Sequence, residues 1–127
     1  MVMWKMDLKG AYALLDVRPE EVAMFAQELT DGLIYFYLCH VFGWSCTPAA
    51  FQVVTRAIKW ELKYKLRGLV EMYVDDLVGV CLRSQLEGEL AIASATILDL
   101  LGSFSIAEHK TESGVRLKGN ETVPILF

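Results

Sequence analysis

The sequence predicts an α+β fold, an antiparallel sheet with helices packed on one face. Three observations point there. Two long segments, near residues 49–66 and 84–101, repeat apolar residues at helical spacing. Two short apolar runs flank Asp75-Asp76 as the arms of a hairpin. Strand-like and helix-like segments then follow one another in an order that buries both helical stripes against a single sheet.

Taken in order, Met1 to Leu8 is a short apolar strand ending at Asp7, and Gly10 to Leu15 is a turn or short helix. Arg18-Pro19-Glu20-Glu21 predicts a helix start, because proline suits the first turn and acids there meet the positive end of the dipole. That helix is expected to reach Leu29, with Val22, Phe25, Ala26 and Leu29 on one face. Thr30-Asp31-Gly32 is a turn. Leu33 to Phe42 is continuous and aromatic, the pattern of a strand buried on both faces, and Gly43 to Pro48 breaks it. Ala49 to Leu66 is a helix with Phe51, Val54, Ile58, Leu62 and Leu66 as its apolar stripe, ended by Gly68. Leu69 to Tyr73 and Leu77 to Leu82 form the acid-tipped hairpin. Ser84 and Glu87 have the spacing of a capping box, opening a helix to Leu101 that turns Leu86, Leu90, Ala93, Ile97 and Leu101 inward. Gly102 closes it, Phe104 to Ala107 is a short strand, and the tail from Lys110 is polar and weakly patterned.

The totals fit one domain: 127 residues, 54% of them hydrophobic, within the usual domain size of about 100–150 residues. The net charge of -4 is unusual for a nucleic-acid binder, where phosphate contacts call for lysine and arginine. Three cysteines without CxxC spacing indicate neither a disulfide framework nor a zinc site, and fit a reducing intracellular compartment, cytoplasmic or nuclear. The longest apolar run, Leu33 to Trp44, is too short to span a membrane, and the N-terminus lacks the order of a signal peptide.

Chemistry concentrates in Tyr73-Val74-Asp75-Asp76. Adjacent acids at a hairpin tip can be a solvated turn. Asp7 also ends an apolar strand, and in an antiparallel sheet it can lie beside that tip. Carboxylates brought together from separate strands repel one another unless a cation neutralises them. Mg²⁺ prefers such oxygen ligands, and two ions a few ångströms apart clamp a phosphoryl group in transfer. Asp7, Asp75 and Asp76 are therefore candidate metal ligands for two Mg²⁺ ions, with Mn²⁺ as a substitute.

Four segments, in order, resemble the motifs of reverse transcriptases of retroelements. Asp7-Leu8-Lys9-Gly10-Ala11-Tyr12 is similar to the family's first motif, an Asp followed by Ala-Tyr or Ala-Phe. Phe42-Gly43 with Ser45 to Gln52 resembles its FG turn and S-P-x-x-F-Q segment, and Tyr73 to Asp76 its Y-x-D-D box. Lys110 stands where the family has a downstream lysine. The resemblance covers roughly Met3 to Ser113 and implies a partial polymerase palm, a ferredoxin-like arrangement, with Asp7, Asp75, Asp76 and Lys110 as its catalytic set. Asp7 and Asp75 would bind metal, Asp76 would lie nearer the primer end, and Lys110 would protonate or screen the leaving pyrophosphate. Leu8, Ala11, Tyr12, Phe42, Gly43, Pro48 and Gln52 would form the nucleotide pocket, Tyr12 stacking under the sugar and excluding a 2′-hydroxyl.

The implied partners are an RNA or DNA template-primer and deoxynucleoside triphosphates. Fingers, thumb or the rest of a polyprotein would complete the enzyme, and the isolated chain is expected to be inactive. Arg56, Lys59, Lys63, Lys65 and Arg67 can touch template backbone, although a solvated helix face accounts for them better. Two other readings stand beside this one. One is a non-catalytic retroelement remnant with at most weak nucleic-acid binding; the other is another palm-like enzyme such as a nucleotide cyclase, against which the Gly43 to Gln52 segment argues.

Overall fold

The computed structural model describes residues 1–107 and 111–116. Four strands form one antiparallel sheet: β1 (Val2–Asp7), β4 (Leu69–Tyr73), β5 (Asp76–Cys81) and β6 (Glu112–Arg116), in the order β4-β5-β1-β6. Helices α1 (Thr47–Lys65) and α2 (Leu86–Leu101) pack on it. Alternation along β1 sends Val2, Trp4 and Met6 to the helices, where they meet Leu77 and Cys81 of β5, Phe51, Ile58 and Leu62 of α1, and Ala93 and Ile97 of α2. Met3, Lys5 and Asp7 point to the opposite, open face.

The expected helices hold, with shifted ends. α1 starts at Thr47, with Pro48 in its first turn, and Leu66 is its extended C-cap, still buried. α2 starts at Leu86 after a 3-10 turn, Arg83–Gln85, that takes up Ser84; no side chain caps it, so the Ser84–Glu87 capping box does not form. Glu89, two residues beyond Glu87, is instead the working acid. Its Oε1 accepts hydrogen bonds from the backbone N–H groups of Arg67 and Gly68, both at 2.8 Å, and so fixes the turn that launches β4.

Residues 18–42 differ most from expectation. The helix Arg18 to Leu29 is absent; a 3-10 turn, Val22–Phe25, leads directly into β2 (Ala26–Glu28). The long buried strand shrinks to β3 (Ile34–Phe36), which pairs with β2 as a separate two-stranded ribbon. Its residues are largely exposed, because no further layer lies over them among the described residues. Local aromatic contacts replace core burial: Phe25 stacks on Trp44 at 3.8 Å, and Tyr37 meets Trp44 edge-on. The turn between the strands places Asp31 at φ 60° and Gly32 at φ 76°, the backbone an Asp-Gly hairpin requires.

The expected strand Phe104 to Ala107 is a single bridge, Leu8 to Ile106, with Phe104 out in solvent. β6, in the stretch expected to be polar and weakly patterned, pairs with β1 across a bulge at Met3/Trp4.

Candidate active site

The hairpin tip is two residues long. Tyr73 pairs with Asp76, leaving Val74 and Asp75 as the loop. Its first position takes φ 51°, a left-handed conformation that costs a side-chain-bearing residue roughly 1–2 kcal/mol. β-branched valine is poorly suited to it. Strained backbone of this kind often lies at functional sites.

β1 ends against this tip. Asp7 pairs with Asp76 across the strands, Leu8 N–H donates to the Asp75 carbonyl at 2.9 Å, and Ala107 N–H donates to the Asp7 carbonyl at 2.9 Å. Backbone bonds therefore hold Asp7 from both sides. Directly opposed residues in an antiparallel pair project from the same face, so the Asp7 and Asp76 carboxylates share the open face. Asp7 is buried, with 6% of its surface exposed. Asp75 sits one residue further out, in the loop.

Lys5 lies two residues before Asp7 on the same face. Its Nζ is 2.8 Å from Oδ1 of Asp76. The hydrogen bond to Asp76, together with the charges of Asp76, Asp7 and Glu112, raises the Lys5 pKa above its ordinary value despite partial desolvation. The three aspartates are brought to one strand end, and carboxylate oxygens suit Mg²⁺. Yet no group of three or more His, Cys, Asp and Glu side chains is placed to hold a metal ion among the described residues. The Asp76 carboxylate is engaged by an ammonium group instead.

Behind the acids lies an aromatic layer. Tyr12 follows Gly10, at φ 70°, in a 3-10 turn, Ala11–Leu14. Its ring packs against Phe51 at 5.5 Å and Phe42 at 4.8 Å, and it is almost fully buried, whereas Phe42 is 81% exposed. Leu8 and Ala11 belong to the core, and the Leu8 N–H is taken by the Asp75 carbonyl, so the structure does not present either residue to a ligand. Gly43 has φ 96° with open space where a side chain would be. Pro48 and Gln52 line a cleft of about 570 Å³ between the start of α1 and the hairpin. Arg56, Lys59, Glu71, Tyr73 and Val74 complete its rim. Lys59 pairs with Glu71 and holds that carboxyl below its usual range.

Among the other basic residues, Lys65 pairs with Glu61 at 3.4 Å. Lys110 and His109 lie outside the described residues. Lys5 and Glu89 are not among the residues the sequence singles out. Lys5 was detectable from its i, i+2 relation to Asp7, which puts the two on one face of a strand.

Cys39, Cys46 and Cys81 are free thiols. No helix among the described residues is long and apolar enough to cross a membrane.

No protein-family model and no curated protein sequence matches the chain. Among solved structures it is similar to a prototype foamy virus protease-reverse transcriptase, with a TM-score of 0.75 and 19% sequence identity. The match covers 90% of this chain and 14% of the viral one. The fold is therefore like that of a region of a reverse transcriptase, and the chain spans about one-seventh of the viral protein's length.

Proposed function

We propose that this chain is the palm core of an RNA-directed DNA polymerase of the retrotransposon type. The observation that carries the reading is the register of Asp7 against Asp76, which sets one buried and one half-buried carboxylate beside Asp75 on the open face of the sheet. Asp7 and Asp75 would hold Mg²⁺, or Mn²⁺ in its place, and the bound ions would supply charge neutralisation at the transferring phosphoryl group. Asp76 would lie towards the primer end. Tyr12, with its edge beside exposed Phe42, would carry the sugar. The Gly43 backbone, Pro48 and Gln52 would floor the pocket, and Lys110 would serve the leaving pyrophosphate. Partners would be a template-primer, deoxynucleoside triphosphates and the polymerase regions that grip them.

The Lys5–Asp76 ion pair favours a second reading, a non-catalytic remnant whose acids are neutralised within the chain. One experiment separates the two. The chain replaces the matching segment of a reverse transcriptase, and primer extension on an RNA template is followed with Mg²⁺. Extension that Asp75→Asn abolishes is expected, and extension indifferent to Asp75→Asn would refute the polymerase reading.

A further inference from the structure

α1 carries apolar residues on two faces. Phe51, Ile58 and Leu62 enter the core, while on the opposite side Val53, Trp60 and Tyr64 are 69%, 62% and 70% exposed. With exposed Ala57 between them, these outer residues follow the alternating spacing of four and three that marks a helix-packing seam. The Trp60 and Tyr64 rings lie 5.1 Å apart and form a ridge. Arg56 and Lys63, two turns apart, flank it on one side. Lys59 and Lys65 are paired with Glu71 and Glu61, but no carboxylate pairs with Arg56 or Lys63 among the described residues.

α2 shows a surface that complements this one. Lys65 Nζ donates to Thr96 Oγ1 at 3.4 Å, while the backbone N–H groups of Arg67 and Gly68 donate to Glu89. Advancing along α1 therefore means retreating along α2, and the two helices lie side by side and antiparallel. Both back onto one face of the sheet, so their outer sides form one continuous surface. On α2 this surface holds Ile92 and Leu98 among the exposed small residues Ala91 and Ala95, and its charges, Glu87 and Asp99, are acidic. α2 contains no lysine or arginine, whereas α1 contains four of them against one acid.

One molecule thus presents a bulky basic ridge beside a lower acidic strip. A two-fold axis running along and between the helices sets the ridge of each copy on the strip of the other, joining unlike charges. A two-fold axis across the helices sets basic α1 on basic α1. Nucleic acid is the poorer occupant. Glu87 and Asp99 lie beside the ridge and repel phosphate, and Trp60 and Tyr64 are inclined at 64° instead of offering parallel platforms to successive bases.

We propose that the outer face of the α1–α2 layer is a self-association surface, through which two copies of this chain form a two-fold dimer with α1 of each on α2 of the other. The inference depends neither on metal binding nor on the polymerase reading.

The test is sedimentation equilibrium of the purified chain, with circular dichroism as the check on folding. Concentrations reach about 1 mM, where even a millimolar dissociation constant shows. The wild type is expected in monomer–dimer equilibrium. Trp60→Ala should weaken the dimer by roughly thirtyfold, the scale of losing a central aromatic anchor. Arg56→Glu with Lys63→Glu, and separately Glu87→Lys with Asp99→Lys, should each abolish self-association, because each gives both helices one sign of charge. Mixed, these two double variants should associate with each other, since every contact again joins unlike charges. A wild type that stays monomeric would overturn the proposal, whether or not it binds a single-stranded oligonucleotide instead. A dimer left intact by the charge reversals would also overturn it, because α1-on-α1 packing keeps like charges facing in every variant. So would unchanged association in Trp60→Ala, or a mixture of the double variants that stays monomeric. Should a reversal variant not fold, Arg56→Gln with Lys63→Gln takes its place, and an unweakened dimer there would overturn the pairing.

Discussion

Gly79 and Trp4 stand opposite each other across β5 and β1, and the indole fills the volume that a side chain at position 79 would need. A Cβ on Gly79 would lie 2.1 Å from Cε2 and 2.2 Å from Cζ2 of Trp4. Trp4 is 1% exposed and among the largest fully buried side chains, so it has nowhere to retreat. The glycine lets β5 carry both the acid tip and the floor of the core.

Gly79→Ala should therefore destabilise the chain by about 3 kcal/mol or prevent folding, the upper range for overpacking a core. Urea unfolding followed by tryptophan fluorescence measures it. A loss of less than about 1 kcal/mol would mean that the two strands are not in this register.

Val74 should be replaceable with profit to stability. Asparagine tolerates positive φ better than valine does, so Val74→Asn is expected to stabilise the chain by about 1 kcal/mol. Val74→Ala, which keeps a Cβ, should gain less. Urea midpoints for the two variants check this, and a lower midpoint for Val74→Asn would contradict the strained tip.

Tyr12 packs on Phe51 and Phe42. Tyr12→Ala should cost about 3 kcal/mol through the cavity it leaves, while Tyr12→Phe, which keeps the ring, should cost far less. If the ring also carries the sugar, Tyr12→Ala in the chimaeric polymerase should admit ribonucleotides more readily. Unchanged sugar discrimination would confine Tyr12 to packing.

The Lys59–Glu71 pair sets a weak acid dependence. Its folded-state carboxyl pKa is depressed. The contribution is therefore present above the unfolded value, about 4.3, and lost as pH falls through the lower folded value. Both side chains are more than one-third exposed, which holds the contribution to about 0.5 kcal/mol. Glu71→Gln should lower the urea midpoint at pH 6 and make no difference at pH 2. An equal loss at both pH values would mean that Glu71 acts by packing.

The fold was readable wherever apolar periodicity met a core. The stripes of α1 and α2 and alternate residues of β1 and β5 pack into the core, whereas Leu69, Tyr73 and Leu82 of the hairpin stay more than half exposed. The reading failed where apolar residues had no core to enter. Leu29, Leu33, Ile34, Phe36 and Leu38 are all more than half exposed, and a period of apolar residues carries no information about whether a partner layer exists. The Asp31-Gly32 turn did form, and as a hairpin turn it calls for a strand rather than a helix before it, which is what β2 supplies. β6 was illegible for the opposite reason. Glu112-Ser113-Gly114 offers no apolar alternation, and β6 joins the sheet by backbone pairing with β1.

At the site, the approach of Asp7 to the hairpin tip followed from strand-end placement alone. The engagement of Asp76 by Lys5 did not, because a diagonal ion pair depends on register, which the sequence does not specify. The same register puts Asp76 opposite Asp7 and Asp75 one residue beyond.

The proposed function requires Asp7 and Asp75 jointly to hold a divalent ion, and iron-directed cleavage reads this out. Fe²⁺ substituted at a Mg²⁺ site generates hydroxyl radicals on addition of ascorbate and peroxide, and these cut the backbone nearby. Cuts are expected beside residue 7 and beside residues 75–76 in the same experiment, suppressed by excess Mg²⁺ and lost in both Asp7→Asn and Asp75→Asn. Cutting at only one of the two segments, or cutting that survives Asp75→Asn, would contradict it.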